Sequence, residues 1–413
     1  MRRLACTVAL CAAVLPPATA RAQPAATKTL VLLNANLIDG TGAAARRNVS
    51  VIVEGGRIAR IVDGRAPIPT GADTIDVAGR WVLPGLIDVH THIATLPSMR
   101  RALESGVTTV RSASVPAYQD VGARELVRRG VLPGPDMLAA GVFVTPYLGE
   151  TAMADPRLAP FAREVMSPDA LRAVVNINAD RGVDVIKTRA TERAGLADQD
   201  PRKQVYDEAQ LRVIVEAAAA RNLKVLVHAH GDEGAYAAVK AGAHSIEHGT
   251  YLSDSTLALM KQRGTYFVPT YATVVDLTSP GGDYDEPPLR VRGLHMLPRL
   301  GESVRKAHAL GVPVVAGGDT QYGPQSVTRI PHEVAFFVDL GFSPMDAIRS
   351  ATAVAARCLG IDQRTGTLVP GKEADLIVVE RNPLEDVRAL QDVLVVVADG
   401  RVALNRVPFG LGR

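Results

Sequence analysis

Short runs rich in β-branched residues alternate with alanine-rich amphipathic stretches through the middle of the chain. This alternation is typical of β-strands that each lead into a helix. The eight runs are Leu86–His92, Val107–Ser112, Met137–Val144, Val183–Arg189, Lys224–His230, Ser245–Leu252, Tyr266–Ala272 and Val312–Asp319. Eight such units predict an α/β fold, the (β/α)₈ TIM barrel. An open doubly wound sheet is disfavoured because no glycine-rich phosphate loop follows the first run.

Both ends of the chain are rich in strand patterns and poor in helical ones. The strand-like runs are Thr29–Leu33, Val49–Val53 and Arg57–Val62 near the start, and Leu376–Val379, Val393–Val397 and Arg401–Leu404 near the end. We expect the two ends to join into one small β-sandwich domain beside the barrel. The expected boundaries are residues 23–83 for its N-terminal part, 84–365 for the barrel and 366–413 for its C-terminal part.

The first 22 residues have the pattern of a secretory signal peptide. Arg2 and Arg3 precede an apolar run that ends at Leu15. The small-x-small site Ala20-Arg21-Ala22 then makes Gln23 the expected first residue of the mature chain. The apolar run is too short to cross a bilayer. We therefore expect an exported protein, periplasmic or secreted, without a membrane anchor.

Cysteine content, charge and aromatic content narrow the classes of function. Two of the three cysteines lie in the signal segment, so the mature chain keeps only Cys358 and cannot form an internal disulfide. The same segment contains three arginines and no acid, so its removal takes the formal net charge from +3 to zero. Aromatic residues make up 4% of the chain, too few for a large base-stacking surface. Nucleic acid is therefore not an expected partner.

Two histidines close the first predicted barrel strand. His90 and His92 are two residues apart, so an extended strand turns both imidazoles to one side. Two converging neutral imidazoles suit a divalent transition metal. A strand with two polar residues on a wetted face explains this pair alone equally well.

Other potential ligands decide between these two interpretations. In a TIM barrel, chemistry takes place at the carboxyl ends of the strands. The candidates at these ends are His90, His92, Lys187, His228, His230, His248 and Asp319. The other four of the nine histidines fall in predicted helices or loops. Histidines with unrelated structural roles would not be expected to concentrate at the ends of the predicted strands, so the pattern favours a metal site.

Five motifs and the closing segment resemble the metal-dependent amidohydrolase superfamily. They are Gly85–His92, Asp184–Lys187, Val227–Gly231, Ser245–Gly249 and Gly318-Asp319, together with Leu368–Leu376. Within this superfamily, the sequence is similar to the imidazolonepropionase-related, prolidase-like peptidases that use two metals. The resemblance covers essentially all of the mature chain and implies the same barrel with a β domain.

The resemblance implies two divalent metal ions. The implied ligands are His90, His92 and Asp319 for one ion and His228 and His248 for the other. Lys187 would bridge the ions as a carbamate formed with carbon dioxide. An ordinary ammonium has no lone pair and would repel two dications, whereas burial and nearby positive charge favour the neutral amine that adds carbon dioxide. Zinc is the first expectation, with manganese, cobalt and iron left open by these ligand types.

The resemblance also implies the chemistry and its catalytic residues. A hydroxide that bridges the two ions would attack an amide carbonyl. Asp319 would take the proton of this hydroxide and pass it to the leaving nitrogen. His230 stands where related peptidases contact the carboxylate or carbonyl oxygen of the substrate, and a supporting role behind the ligands is an open alternative.

Two further residues are expected to support the ligands from outside the cavity. Glu247 directly precedes His248 in a predicted strand, so it is expected to point away from the pocket and to serve structure. Asp88 lies two residues before His90 and is expected to orient a ligand histidine.

Three stretches depart from the family pattern, and one of them is Val110-Arg111-Ser112, where relatives often have Val-Arg-Asp at the end of the second strand. Many relatives carry a Gly-Gly-His after the third strand, and this chain instead has Tyr147, which could donate a hydrogen bond to the scissile carbonyl. Arg189 and Arg193 stand in place of a glycine-rich turn after Lys187. They could bind a substrate carboxylate, although surface salt bridges are the ordinary role of such arginines.

The sequence therefore predicts a metal-dependent amidohydrolase that cleaves small molecules, namely dipeptides or N-acyl amino acids. Opening of a cyclic amide on the same site is an alternative, and so is a non-catalytic metal-binding or ligand-binding protein. Deamination is disfavoured because mononuclear deaminases of this superfamily need no bridging lysine. A glycosidase would need paired acids beside a sugar site and finds no support. A homo-oligomer stays open.

Overall fold

The computed structural model describes residues 28–326 and 329–407. The expected signal peptide, residues 1–22, lies outside the described residues. No helix in the described part of the chain combines the length and the apolar character that a membrane span requires.

Five strands precede the barrel. They are β1 (Leu30–Leu37), β2 (Arg46–Glu54), β3 (Arg57–Asp63), β4 (Asp73–Asp76) and β5 (Trp81–Pro84). The turn between β2 and β3 consists of Gly55 and Gly56, whose φ angles of 59° and 79° are left-handed. Two such residues in succession match the twist of a hairpin, and glycine adopts this conformation without steric cost.

Seven parallel strands build most of the barrel wall. They are β6 (Leu86–Thr91), β7 (Val107–Ser112), β8 (Asp136–Leu138), β9 (Val185–Arg189), β10 (Lys224–Ala229), β11 (Ser245–His248) and β12 (Tyr266–Val268). Backbone bonds complete the ring. Val144 N–H donates to the Lys187 carbonyl at 2.9 Å, and Asp319 N–H donates to the His90 carbonyl at 2.7 Å.

The eighth predicted strand, Val312–Asp319, makes isolated bridges rather than a regular ladder. Phe267 pairs with Val314, and Thr91 pairs with Thr320. Pro313 has no N–H to donate, and two glycines follow within the run, so a continuous ladder is weakened here.

Eleven α-helices are described, most of them on the outside of the barrel. They are α1 (Leu96–Glu104), α2 (Gln119–Arg128), α3 (Pro168–Asp180), α4 (Glu208–Ala219), α5 (Asp232–Ala241), α6 (Asp254–Arg263), α7 (Tyr271–Asp276), α8 (Pro287–Leu310), α9 (Ile330–Asp339), α10 (Pro344–Ser350) and α11 (Ala353–Leu359). Side chains at the N-termini of several helices accept hydrogen bonds from the first backbone N–H groups. Asp207, for example, forms a capping box with Gln210 at the start of α4.

Three strands at the end of the chain join the first five in one sheet. They are β13 (Leu376–Val379), β14 (Val393–Ala398) and β15 (Arg401–Asn405). The strand order is β15-β14-β13-β5-β1-β2-β3, with β4 beside β1. Val395 shares an apolar cluster with Leu32 and Val51, so the sheet folds over on itself. The barrel and the β-rich domain built from both chain ends confirm the predicted fold class. The expected domain boundaries stay predictions.

A single glycine links the β domain to the barrel. Gly85 lies between β5 and β6, and its N–H donates to the Asp375 carbonyl at 2.9 Å. A Cβ atom on this residue would lie 2.3 Å from the Thr108 hydroxyl. The β domain therefore meets the first barrel strand at a contact that has no room for a side chain.

Candidate metal centre

The predicted ligands meet in one cavity at the carboxyl ends of the barrel strands. This cavity has a volume of about 360 Å³. It is lined by all seven candidates, namely His90, His92, Lys187, His228, His230, His248 and Asp319. Side chains separated by more than two hundred positions in the sequence thus share one wall of the cavity.

The first group of donors consists of His90, His92 and Asp319. Asp319 Oδ1 lies 3.1 Å from His92 Nε2 and 3.5 Å from His90 Nε2. Lys187 Nζ also lies 3.5 Å from His90 Nε2. The lysine and the aspartate therefore converge on the same nitrogen of the first histidine.

The second group consists of His228, His230 and His248. Their ring centroids lie 4.5–4.9 Å apart, and the His230 and His248 rings are stacked. In each group, one donor atom per residue lies within 4.8 Å of the others. His230 thus stands beside the two predicted ligands of its group rather than behind them.

Every ring is oriented by a hydrogen bond from its other nitrogen. The pairs are His90 Nδ1 with Glu247 Oε2 at 2.5 Å, His92 Nδ1 with the Ser114 carbonyl at 2.6 Å, His230 Nδ1 with Thr250 Oγ1 at 2.8 Å, His248 Nδ1 with Thr270 Oγ1 at 2.7 Å, and His228 Nε2 with the Glu192 carbonyl at 3.0 Å. A carbonyl can only accept, so His92 keeps the lone pair on Nε2 and His228 keeps it on Nδ1. Such partners fix the tautomer of metal-binding histidines.

Burial lowers the pKa of His90, His228, His230 and His248 and so favours their uncharged form. It lowers the pKa of His90 to about 4 and that of His230 to about 3. It also lowers the pKa of Lys187 to about 8, although Glu247 and Asp319 act in the opposite direction. Burial opposes ionisation of Asp319 too, but His90 and His92 outweigh it and lower the pKa of this carboxyl. Neutral imidazoles and an ionised carboxylate are the donor types that divalent cations bind, so the residues present fit two such ions.

Glu247 points into the barrel, contrary to the expectation from strand alternation. It accepts a hydrogen bond from His90 and an ion-pair bond from Arg111 Nη2 at 3.0 Å, and it is fully buried. The reason is the backbone of His248, whose φ of 74° is left-handed and breaks the two-residue alternation. Arg111, which the sequence does not mark as a site residue, joins the centre through this glutamate.

Asp88 supports the site through the backbone rather than through a ring. One carboxylate oxygen accepts the N–H groups of His90 at 3.0 Å and Gly318 at 2.9 Å. The other accepts the Tyr322 hydroxyl at 2.8 Å. Asp88 therefore ties the chain at His90 to the chain next to Asp319.

The structure does not bring Tyr147 to the cavity. Its side chain is 52% exposed, and it is not among the residues that line the cavity. Its neighbour Leu148 turns into the core instead, where it is 5% exposed. Tyr147 therefore lies outside the cavity in this structure, and its hydrogen bond to a scissile carbonyl stays a prediction.

Apolar side chains line the cavity together with the donors. They are Val115, Pro116, Phe143, Leu196, Val274 and Leu277. Arg193 and Tyr284 line the same cavity, and Asp319 is the largest cause that raises the pKa of Tyr284. Nothing in the sequence around Tyr284 marks it as a site residue, because it lies in a loop between helices rather than at a strand end.

Comparison with known proteins agrees with this geometry. Residues 81–403 match the amidohydrolase family. Ochratoxinase from Aspergillus niger is 28% identical, over 88% of this chain and 84% of its own length. Imidazolonepropionase from Chromobacterium violaceum is 27% identical, over 74% of this chain and 78% of its own length.

The solved structures include a similar peptidase. The crystal structure of a Xaa-Pro dipeptidase with methionine bound in its active site superposes with a TM-score of 0.81 and 27% sequence identity. The match covers 91% of this chain and 99% of that one. The chain therefore belongs to the amidohydrolase family and is a metal-dependent hydrolase that acts on amide bonds.

Proposed function

We propose that this enzyme hydrolyses the amide bond of dipeptides or N-acyl amino acids at a centre of two divalent ions. The observation that carries the proposal is the convergence of Lys187 and Asp319 on the His90 corner, beside a second group of histidines. A structural metal site is normally closed by four protein ligands. Here the donors form two groups on the wall of an open cavity, as catalysis requires.

Each donor group would hold one ion. His90, His92 and Asp319 form the first site, and His228 and His248 form the second. Zinc is the ion we expect, because it binds imidazole and carboxylate and brings no redox chemistry. The bound ions supply Lewis acidity, which polarises a carbonyl and lowers the pKa of water.

Lys187 would join the two sites as a carbamate. Its amine is buried, and no carboxylate in the described residues lies within 4.0 Å of it. A free ammonium would repel two cations, whereas the neutral amine adds carbon dioxide and loses a proton to give an anionic group. The burial that lowers the pKa of Lys187 to about 8 favours this reaction.

Asp319 and His230 would act on the substrate. The Asp319 carboxylate would accept a proton from the attacking water and return it to the leaving nitrogen. His230 lies on the cavity wall with its Nδ1 engaged by Thr250, so its Nε2 is free to contact a substrate oxygen. We therefore keep His230 as a substrate contact rather than a ligand.

The cavity and the relatives support the substrate class. A volume of about 360 Å³ suits a molecule of dipeptide size rather than a polypeptide. The similar dipeptidase structure holds methionine in its active site. Opening of a cyclic amide is the second candidate, which the match to imidazolonepropionase supports. We also propose that the chain is exported to the periplasm or the medium, with Gln23 as its first residue.

Metal analysis combined with a substrate screen tests this function. We expect close to two metal equivalents per purified mature chain, and turnover of dipeptides or N-acyl amino acids rather than of cyclic amides. Asp319→Asn should lower kcat by about 10²–10⁴-fold because it removes the proton acceptor. The variant should keep most of its metal, since an amide oxygen can still bind.

Two further variants complete the test. Asp198→Asn replaces an exposed aspartate outside the cavity and should leave turnover unchanged. Lys187→Ala should lose metal and activity together, with partial rescue by short carboxylic acids. Full activity of Asp319→Asn, or unchanged metal content in Lys187→Ala, would contradict the proposed roles.

A further inference from the structure

Two arginines follow the candidate bridging lysine. Arg189 is the last residue of β9, two residues after Lys187, so both side chains leave the strand on the side of the barrel interior. Arg193 lies four residues further on and lines the cavity. Arg193 therefore borders the cavity directly, and Arg189 is a buried neighbour that does not line it.

Neither guanidinium forms a salt bridge within the described residues, although the Glu192 carboxylate attracts Arg189 from a greater distance. Arg189 is 4% exposed, and its Nε and Nη1 have no hydrogen-bond partner. The side chain of Arg193 makes neither a salt bridge nor a hydrogen bond with any residue that the structure describes. The neighbouring acid, Glu192, is engaged by Lys203 Nζ and by the Asp200 N–H, each at 2.9 Å. The salt bridges that such arginines ordinarily form are thus missing here.

Two unpaired cations side by side are costly when one of them is buried. The Arg189 guanidinium is buried with two unpartnered nitrogens, and Arg193 lines the cavity without an acid from the described residues bound to its side chain. An anion bound at Arg193 would supply the missing negative charge, because a carboxylate accepts two parallel bonds from a guanidinium. Val115, Phe143 and Leu277 also line the cavity, and their apolar side chains offer no anion site.

We propose that Arg193, backed by the buried charge of Arg189, binds the free carboxylate of the amino acid that leaves. This inference rests on the proposed function and makes it more specific. The acyl side of the substrate then lies against the apolar side chains of the cavity, so apolar acyl groups on amino acids with a free carboxylate are the preferred class. Arg193 contacts the carboxylate, and Arg189 adds a buried positive charge close to Arg193 without contacting the substrate.

A pair of substrates isolates the carboxylate. N-benzoyl-L-alanine and its primary amide share the same scissile bond and differ in the negative charge, and benzoate release reports on both. We expect the metal-loaded enzyme to prefer the acid by at least about tenfold in kcat/KM. Arg193→Gln should lower kcat/KM for the acid by about 10–100-fold, mainly through KM, so that the ratio of acid to amide falls towards one.

Three controls make the result specific. Arg202→Gln removes an exposed arginine of the same loop that is already paired with Asp200, and the ratio should not change. Arg189→Gln should lower the ratio less than Arg193→Gln does, and Arg189→Lys should restore it because the charge is kept. Thermal unfolding of each variant identifies any loss that comes from misfolding.

The outcomes separate this inference from the proposed function. An unchanged ratio in Arg193→Gln would overturn the subsite while leaving the hydrolase intact. If neither compound releases benzoate, the proposed function loses its support, and a binding experiment still tests the subsite. In calorimetric titration with 4-methylpentanoate, we expect weaker binding to Arg193→Gln than to the wild type or Arg202→Gln. Equal affinities in all three proteins would overturn the inference.

Discussion

The first histidine of the centre depends on a buried ion pair. The His90 ring is held by Glu247, which is in turn held by Arg111 and by a hydrogen bond from Ser245. Metal ligands need such partners because the ring must present one nitrogen in one direction. The geometry at the cavity thus rests on charges that no substrate reaches.

Replacement of Glu247 tests this dependence. In Glu247→Gln the Arg111 charge loses its ionic partner, and His90 loses its carboxylate acceptor. We expect metal affinity to fall by about 10–100-fold and the metal-free protein to lose about 3–5 kcal/mol of stability. Chelator competition and thermal unfolding measure the two effects. Glu216→Gln, an exposed change on α4, is the control. Wild-type metal affinity in Glu247→Gln would show that the ring does not need this anchor.

The sequence predicts the ligand residues better than the residues that orient them. The seven candidates could be read from strand ends, because the carboxyl ends of barrel strands meet in space. Glu247 could not, since the left-handed backbone of His248 breaks the alternation from which its direction is predicted. Thr250, Thr270 and Tyr284 lie in loops, where no periodic pattern indicates which way a side chain points.

At the scale of elements, α7 links the site to the outer helices. It has six residues and begins after Thr270, which has a left-handed φ of 48° and holds His248. The first two amides of α7, those of Tyr271 and Ala272, donate to Glu333 of α9 at 2.9 and 2.7 Å. A buried glutamate from a distant helix thus caps the segment that carries a ligand partner.

Loss of this cap should be measurable. Glu333→Gln replaces one accepting oxygen by a donor that faces a buried N–H. We expect a loss of about 1–3 kcal/mol in stability, together with weaker metal retention. The thermal midpoint and the metal content of purified protein are the measurements. Glu302→Gln, an exposed change on α8, should alter neither. An unchanged midpoint in Glu333→Gln would mean that the two amides find another acceptor.

The sequence predicts the number and order of the barrel strands, but it overestimates the length of regular pairing in two of them. Hydrophobic runs mark Met137–Val144 and Val312–Asp319 as strands, and regular pairing in the first covers only Asp136–Leu138. Proline and glycine in the second reduce pairing to isolated bridges. Hydrophobic residues indicate that a segment is buried, not that its backbone is a regular strand. Both segments are largely buried although their backbones are irregular.

At the scale of the whole molecule, the β domain carries buried acids next to the barrel. Glu373 and Asp375 precede β13, and Asp375 accepts the Thr365 hydroxyl at 2.7 Å and the Asp399 N–H at 2.9 Å. Burial raises the pKa of Glu373 from 4.5 to about 7, against the effect of Arg364, and the pKa of Asp375 from 3.8 to about 6. The folded protein therefore holds protons that the unfolded chain releases at lower pH.

This difference sets the sign of a pH effect. Since the folded state binds more protons between about pH 4 and pH 7, stability should fall as the pH rises through this window. Glu373→Gln removes one of the two titrations. Between pH 5 and pH 8, the free energy of unfolding of the variant should rise by about 1–3 kcal/mol relative to that of the wild type. Thermal midpoints at several pH values measure the difference, with the exposed change Glu385→Gln as control. If the difference in thermal midpoint between Glu373→Gln and the wild type did not vary with pH, a raised pKa of Glu373 would be contradicted.

The sheet that unites the two chain ends has a consequence for biosynthesis. Strand β5 pairs with β1 and with β13, so its second neighbour leaves the ribosome only after the entire barrel has been made. The sheet cannot be complete until the residues of β13 have been synthesised. Pairing of β5 with β13 closes a loop that contains the whole barrel, and contacts between such distant residues form slowly. The last step in folding of this sheet therefore follows synthesis of the barrel, and until then one edge of β5 waits for its partner.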